Sequence, residues 1–215
     1  MTTPTAPNDT TLTADGLAPS GDGQVLLLAC GALAREILDL KKRNGWDHLD
    51  LTCLPAILHV HPDRITDAVR EAVAKHRDCY SKIYVVYADC GTGGLLQAAC
   101  QELGVEMVQG PHCYAFFDGV QAFEDRGEVT SFFLTDFLVR QFDSFVWKPL
   151  GLDRHPELLP MYFGNYEKLV YLAQTDAPDL HALAQQHAER MGLQFEHRQT
   201  GYGDLETTLK DWAQK

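Results

Sequence analysis

The chain has 215 residues, of which 45% are hydrophobic and 22% charged, and its formal net charge is −12. That length suits one domain with a substantial core, and the chain holds no apolar run of the roughly 18 residues that would span a bilayer, so a soluble protein is expected. The acidic balance argues against a nucleic-acid partner, because such binding draws most of its affinity from Lys and Arg neutralising phosphates, and no basic cluster exceeds Lys41-Lys42-Arg43.

The first stretch, Met1 to Gly23, is rich in Thr, Pro, Asp, Gly and Ala. It lacks the basic start and apolar centre of a signal peptide and reads as a disordered tail. Six cysteines without a secretory signal fit a cytoplasmic chain with reduced thiols, which favours metal binding or thiol chemistry over disulfides.

Gln24 to Ala29 is a continuous apolar run of strand length, and Ala32 to Arg43 carries Leu33, Ile37, Leu38 and Leu40 near a helical stripe. Asp50 to Val60 is again strand-like, with Pro55 marking an edge or irregular segment, and it leads to His59 and His61. Pro62-Asp63 opens a predicted helix over Arg64 to His76. Lys82 to Ala88 is the clearest strand, followed by the glycine-rich turn Asp89 to Gly94 and a helix from Leu95 to Leu103 that Gly104 stops. Val105 to Val108 is a short strand ending in Gln109 to Cys113, and a helix from Tyr114 to Asp125 should follow.

An aromatic-rich insertion at about 130–152 carries Phe132, Phe133, Phe137, Phe142, Phe145 and Trp147 in a mostly helical register. Such spacing usually means core; a helical cap over the site or a dimer contact is the other use. Then come a strand at Lys168 to Ala173, a helix at Leu180 to Met191, a strand at Leu193 to Arg198 and a closing helix at Asp204 to Ala213. This alternation predicts an α/β fold, three-layer and doubly wound, with a mostly parallel sheet covered by helices on both faces. A single domain over residues 24–215 is expected.

In such a fold the carboxyl ends of the strands converge on one edge, where ligands bind. Cys30, Cys90 and Cys113 each follow a predicted strand, and His59, His61 and His112 fall at the same edge. Soft and borderline ligands from four strand ends point to a metal site, for which we take Cys30, His61, Cys90 and Cys113. Three thiolates with a histidine suit tetrahedral zinc, and three with an open position suit an iron–sulfur cluster or a substrate-binding ion. The two Cys-Gly pairs set Cys30 and Cys90 at helix starts, where the dipole favours thiolate. His61, near its own helix start, should stay neutral, the ligating form. Cys90 and Cys113 are equally candidates for a catalytic thiol, with His112 or His61 as base. The bland alternative is that Cys30 and Cys90 merely fill crowded turns.

Cys53, Cys79 and Cys100 read as structural or incidental. The turn Gly91-Thr92-Gly93-Gly94 can cradle a phosphate or carboxylate of a small ligand with its N–H groups. It is neither a Walker loop nor a dinucleotide fingerprint, and no arginine closes it as a cysteine phosphatase would require.

The segments ACGALAREI (29–37), LHVHPDRI (58–65), YADCGTGG (87–94) and GPHCYAFF (110–117), in this order, resemble the family of domain of unknown function 1638 over nearly the whole chain after the tail. The resemblance implies bacterial and archaeal soluble proteins often encoded among components of corrinoid-dependent methyl transfer from methylated amines. Three functions are therefore carried forward. One is a zinc- or iron–sulfur-binding protein that supports corrinoid-linked methyl transfer. The second is a metal-free thiol enzyme using Cys90 or Cys113 as nucleophile or methyl acceptor. The third is a binding module for a corrinoid protein or small anionic ligand that docks through the segment near Phe137 to Trp147. A corrinoid would enter through the partner, and a second copy of the chain is a further candidate partner.

Overall fold

A computed structural model describes residues 7–215. It forms two compact units, one of residues up to Cys113 with Glu206–Lys215, the other Tyr114–Leu205. Among the described residues no helix is long and apolar enough to cross a membrane.

The first unit begins with a short helix, α1 (Asp9–Ala14), capped by the Asn8 side chain, which accepts the Thr10 N–H at 2.9 Å. Leu12 on this helix is wholly buried. Leu17 then exchanges two backbone hydrogen bonds with Cys53, of 2.9 and 2.8 Å, and the Asp50 carboxylate takes the N–H groups of Ser20 and Gly21. The expected disordered tail is thus corrected from Pro7 onward, because Leu12 is buried and Leu17, Ser20 and Gly21 are hydrogen-bonded to Cys53 and Asp50; Met1 to Ala6 lie outside the described residues.

Next come β1 (Val25–Cys30), α2 (Ala34–Asn44), β2 (Leu49–Leu54), α3 (Ile65–His76), β3 (Lys82–Val86), α4 (Leu95–Leu103) and β4 (Glu106–Met107). All four strands are parallel, in the order β2-β1-β3-β4. The strand predicted to run to Val60 stops at Leu54, since Pro55 turns the chain into a 3₁₀ segment, Ala56–Val60. β1 is fully buried from Leu26 to Cys30, as a strand covered on both faces must be. Strand order reverses at β1, with β2 on one side and β3 on the other. The gap between the carboxyl ends of β1 and β3 is therefore the switch point at which open α/β sheets bind ligands.

The second unit holds α5 (Ala115–Asp118), α6 (Val120–Arg126), β5 (Ser131–Thr135), α7 (Asp136–Arg140), α8 (Leu159–Phe163), β6 (Lys168–Ala173), α9 (Pro178–Met191) and β7 (Gln194–Gln199). Its strands form their own parallel sheet, β5-β6-β7. The α/β class and parallel pairing agree with the sequence, but the strands make two sheets where one was expected. β4 has only two residues, and β5 pairs with β6 instead of extending the first sheet.

Two elements differ from the prediction. The helix expected over 114–125 is broken at Gly119, whose φ of 82° no helix accommodates. The aromatic stretch opens as a strand rather than a helix, and Thr135 then caps α7 by accepting the Leu138 N–H. Phe133, Phe137, Phe142 and Trp147 are buried, which is the core role. The last helix, α10 (Gly203–Trp212), returns the chain to the first unit, where Trp212 stacks on Tyr84 at 4.3 Å and 11°.

Candidate metal centre

Two loops leave the first sheet side by side. The Asp89 N–H donates to the Gly110 carbonyl at 3.1 Å and the Cys90 N–H to that of Pro111 at 3.0 Å. These two bonds extend β3–β4 pairing past the end of the strands, and they bring the Cys90 and Cys113 sulfurs to 3.2 Å. Cys90 has a φ of 47°, the one non-glycine residue with positive φ among the described residues. A cysteine in that region costs free energy and persists only where its surroundings over-determine it.

The third member comes from the 3₁₀ segment after β2. Ligand atoms of His59, Cys90 and Cys113 all lie within 4.8 Å of one another. The Cys30 Sγ, at the end of β1, stands 3.8 Å from the His59 Nδ1. Of the expected ligands, the fold thus gathers Cys90 and Cys113 and sets Cys30 against the histidine, and His59 stands in the group in place of His61. His61 is exposed and is not in the group. The reason is local: in a strand two residues apart share a face, but on a 3₁₀ turn of three residues they point in different directions.

Electrostatics divide the pair of thiols. The contact with Cys113 holds the Cys90 thiol well below its usual range, against the effect of burial, with help from the hydrogen bond and charge of His59. The same contact, then burial, pushes the Cys113 thiol well up. The contact thus favours ionisation of Cys90 over that of Cys113. Burial alone would lower His59, but the Cys30 and Cys90 sulfurs raise it well above the ordinary histidine value. The helix dipole is not the cause at Cys90, since α4 begins only at Leu95 with Gly94 at its cap. Cys30 does precede a helical turn, Gly31–Leu33, that runs into α2.

His112 is half-buried, its imidazolium disfavoured chiefly by burial and drawn up in part by Cys90. Tyr87, wholly buried, has no aligned partner for its hydroxyl; burial and the neighbouring Cys30 and Cys113 sulfurs push its phenol well up. Sequence reading passed over Tyr87 because it sits in an apolar run that reads as core.

The glycine turn has a different occupant from the one expected. The Asp89 carboxylate accepts from the Thr92 hydroxyl at 2.9 Å, from Gly93 N–H at 3.1 Å and from Gly94 N–H at 2.6 Å. Partial burial opposes its ionisation, but these donors, with Gly91, hold it below the usual carboxylate range. The N–H groups of Gly93 and Gly94 that would cradle a ligand anion therefore already hold the Asp89 carboxylate, and that of Thr92 donates to the Asp89 carbonyl. The other cysteines carry no partners of this kind: burial pushes Cys53 well up and Cys100 to about 11, Cys79 is exposed, and all six thiols are free.

Fold and site together define an α/β protein whose parallel sheet carries, at its switch point, a His/Cys/Cys group able to hold a metal ion. A family model described as "Protein of unknown function (DUF1638)" matches residues 53–209, and the chain belongs to that family. The matched stretch includes His59, Cys90 and Cys113 and excludes Cys30. No curated protein and no solved structure matches the chain.

Proposed function

We propose that this protein binds one thiophilic metal ion, zinc first, through His59, Cys90 and Cys113, and that the ion serves corrinoid-linked methyl transfer. The observation that carries the metal is the convergence of the three ligand atoms within 4.8 Å. Tetrahedral bonds of about 2.3 Å to sulfur and about 2.0 Å to nitrogen set the sulfurs about 3.8 Å apart and the nitrogen about 3.5 Å from each, so an ion would part the sulfurs by about half an ångström and draw the histidine in by about 1.3 Å at most. Two sulfurs 3.2 Å apart with one histidine suit a single ion better than an iron–sulfur cluster, which is ordinarily held by four cysteines. Cys90 already favours the ligating thiolate, and a bound cation would displace the remaining protons from Cys113 and His59. The methyl-transfer part rests on the family resemblance and on the fit of a soft, thiolate-held ion to that chemistry.

Metal analysis of anaerobically purified, zinc-reconstituted protein tests the reading. One ion per chain is expected, lost in His59→Ala and in the Cys90→Ser/Cys113→Ser double variant and kept in His61→Ala. Full retention in the double variant would overturn it. Methyl transfer predicts that zinc-loaded protein speeds demethylation of methylcobalamin by a thiol acceptor, and no acceleration would remove that part.

A second reading has one specific observation in its favour: Cys90 has a second thiol 3.2 Å away and a histidine in the same group, and these contacts lower its pKa, as a metal-free nucleophile requires. Rapid alkylation of Cys90 at neutral pH, in protein that binds no zinc, is its expected result.

A further inference from the structure

We infer that Cys30 is not a ligand but a positioning residue, which fixes His59 so that the ion is held by three protein groups and keeps a fourth position open to an exogenous soft donor. This rests on the metal reading above. The Cys30 Sγ faces the His59 Nδ1 at 3.8 Å, and Cys30 is absent from the group whose ligand atoms converge. A ligating histidine needs its second ring nitrogen engaged as a donor, which sets the tautomer and the ring orientation. With the Cys30 sulfur as acceptor for Nδ1–H, the nitrogen left for the metal is Nε2.

Cys30 is itself held in place. It closes β1, is buried, and pairs in register with Leu54, the last residue of β2, which sends the chain into the His59 segment. The Tyr87 hydroxyl, buried and without an aligned hydrogen-bond partner, is near enough to the same sulfur to interact with it. A polar line of Tyr87, Cys30 and His59 therefore runs through an apolar interior towards the two thiols. Closed four-ligand zinc sites are structural, whereas three protein ligands with an open position are the catalytic pattern. His59 and His112 are the partly exposed members of the cluster, so an incoming donor would approach on their side.

Cobalt(II) as a zinc substitute separates the outcomes, because its sulfur-to-metal charge-transfer absorption scales with the number of thiolates. Wild-type protein should show two thiolates. Cys30→Ala should leave that absorption unchanged at saturating cobalt while weakening affinity by about ten- to hundredfold, and Cys30→Ser, which restores an acceptor, should recover most of the loss. Adding 2-mercaptoethanol to wild type should raise the absorption by about half, as a third thiolate fills the open position. A drop of about a third in both Cys30 variants makes Cys30 a ligand and overturns the inference, as does no response to 2-mercaptoethanol; in both cases the metal reading stands. Failure to bind cobalt at all overturns the metal reading itself.

Discussion

Asp50 shows how a charged residue can be buried in a strand of this protein. Its carboxylate accepts from the Ser20 N–H and hydroxyl, the Gly21 and Leu51 N–H groups and the Tyr80 hydroxyl. Burial opposes ionisation, but Tyr80, Gly21, Ser20 and Leu51 outweigh it and hold the carboxyl below the usual carboxylate range; burial and the same contact push Tyr80 up to about 12. A carboxyl depressed in the folded state contributes stability that is fully present above its unfolded value, about pH 4, and is lost as pH falls through the folded value. Asp50→Asn should therefore cost about 2 kcal/mol at pH 7, and urea melts should show the gap to wild type narrowing towards pH 3. A gap of constant size across that range would mean that the charge contributes nothing.

At the scale of elements, α1 couples the residues before β1 to the site. A Cβ on Gly31 would fall 2.4 Å from the Leu12 carbonyl oxygen, so Gly31 is there to let this helix approach the residue that follows Cys30. Leu12→Ala should destabilise by about 2–4 kcal/mol, and Gly31→Ala should displace the arm and expose its residues to limited proteolysis ahead of Ser20; an uncleaved arm in Gly31→Ala would refute the tight packing. Neither contact was legible in the sequence, because a helix of six residues is too short to display a hydrophobic period. β1, β3 and β6 were legible, being buried runs in which local propensity and burial agree. β5 was not: a strand, a helical turn and the wide π-type turn at Asp143–Trp147 follow one another, and their summed aromatic spacing imitates a single helix. The site was half legible for the same kind of reason. Strand ends located the thiols, but choosing between His59 and His61 required knowing that Pro55 had replaced strand by 3₁₀ geometry.

For the molecule as a whole, the three residues of the His/Cys/Cys group are far apart in sequence and all belong to the first unit, so the unfolded chain offers no site and an ion held there would be linked to folding of that unit. An ion that binds only the folded form stabilises by about 4 kcal/mol at a thousandfold excess over its dissociation constant. The second unit has its own sheet and its own core, built on Phe142, Trp147, Leu169 and Tyr171, and contributes none of the ligand atoms. Zinc should therefore slow amide hydrogen exchange in peptides covering β1, residues 56–61, 89–94 and 110–113, and leave those covering β5, β6 and β7 unchanged. The Cys90→Ser/Cys113→Ser variant should show no zinc-dependent change anywhere. Protection that rises equally in both units would place the linkage outside the His/Cys/Cys group, and protection that rises nowhere would mean that the folded protein gains nothing from the ion.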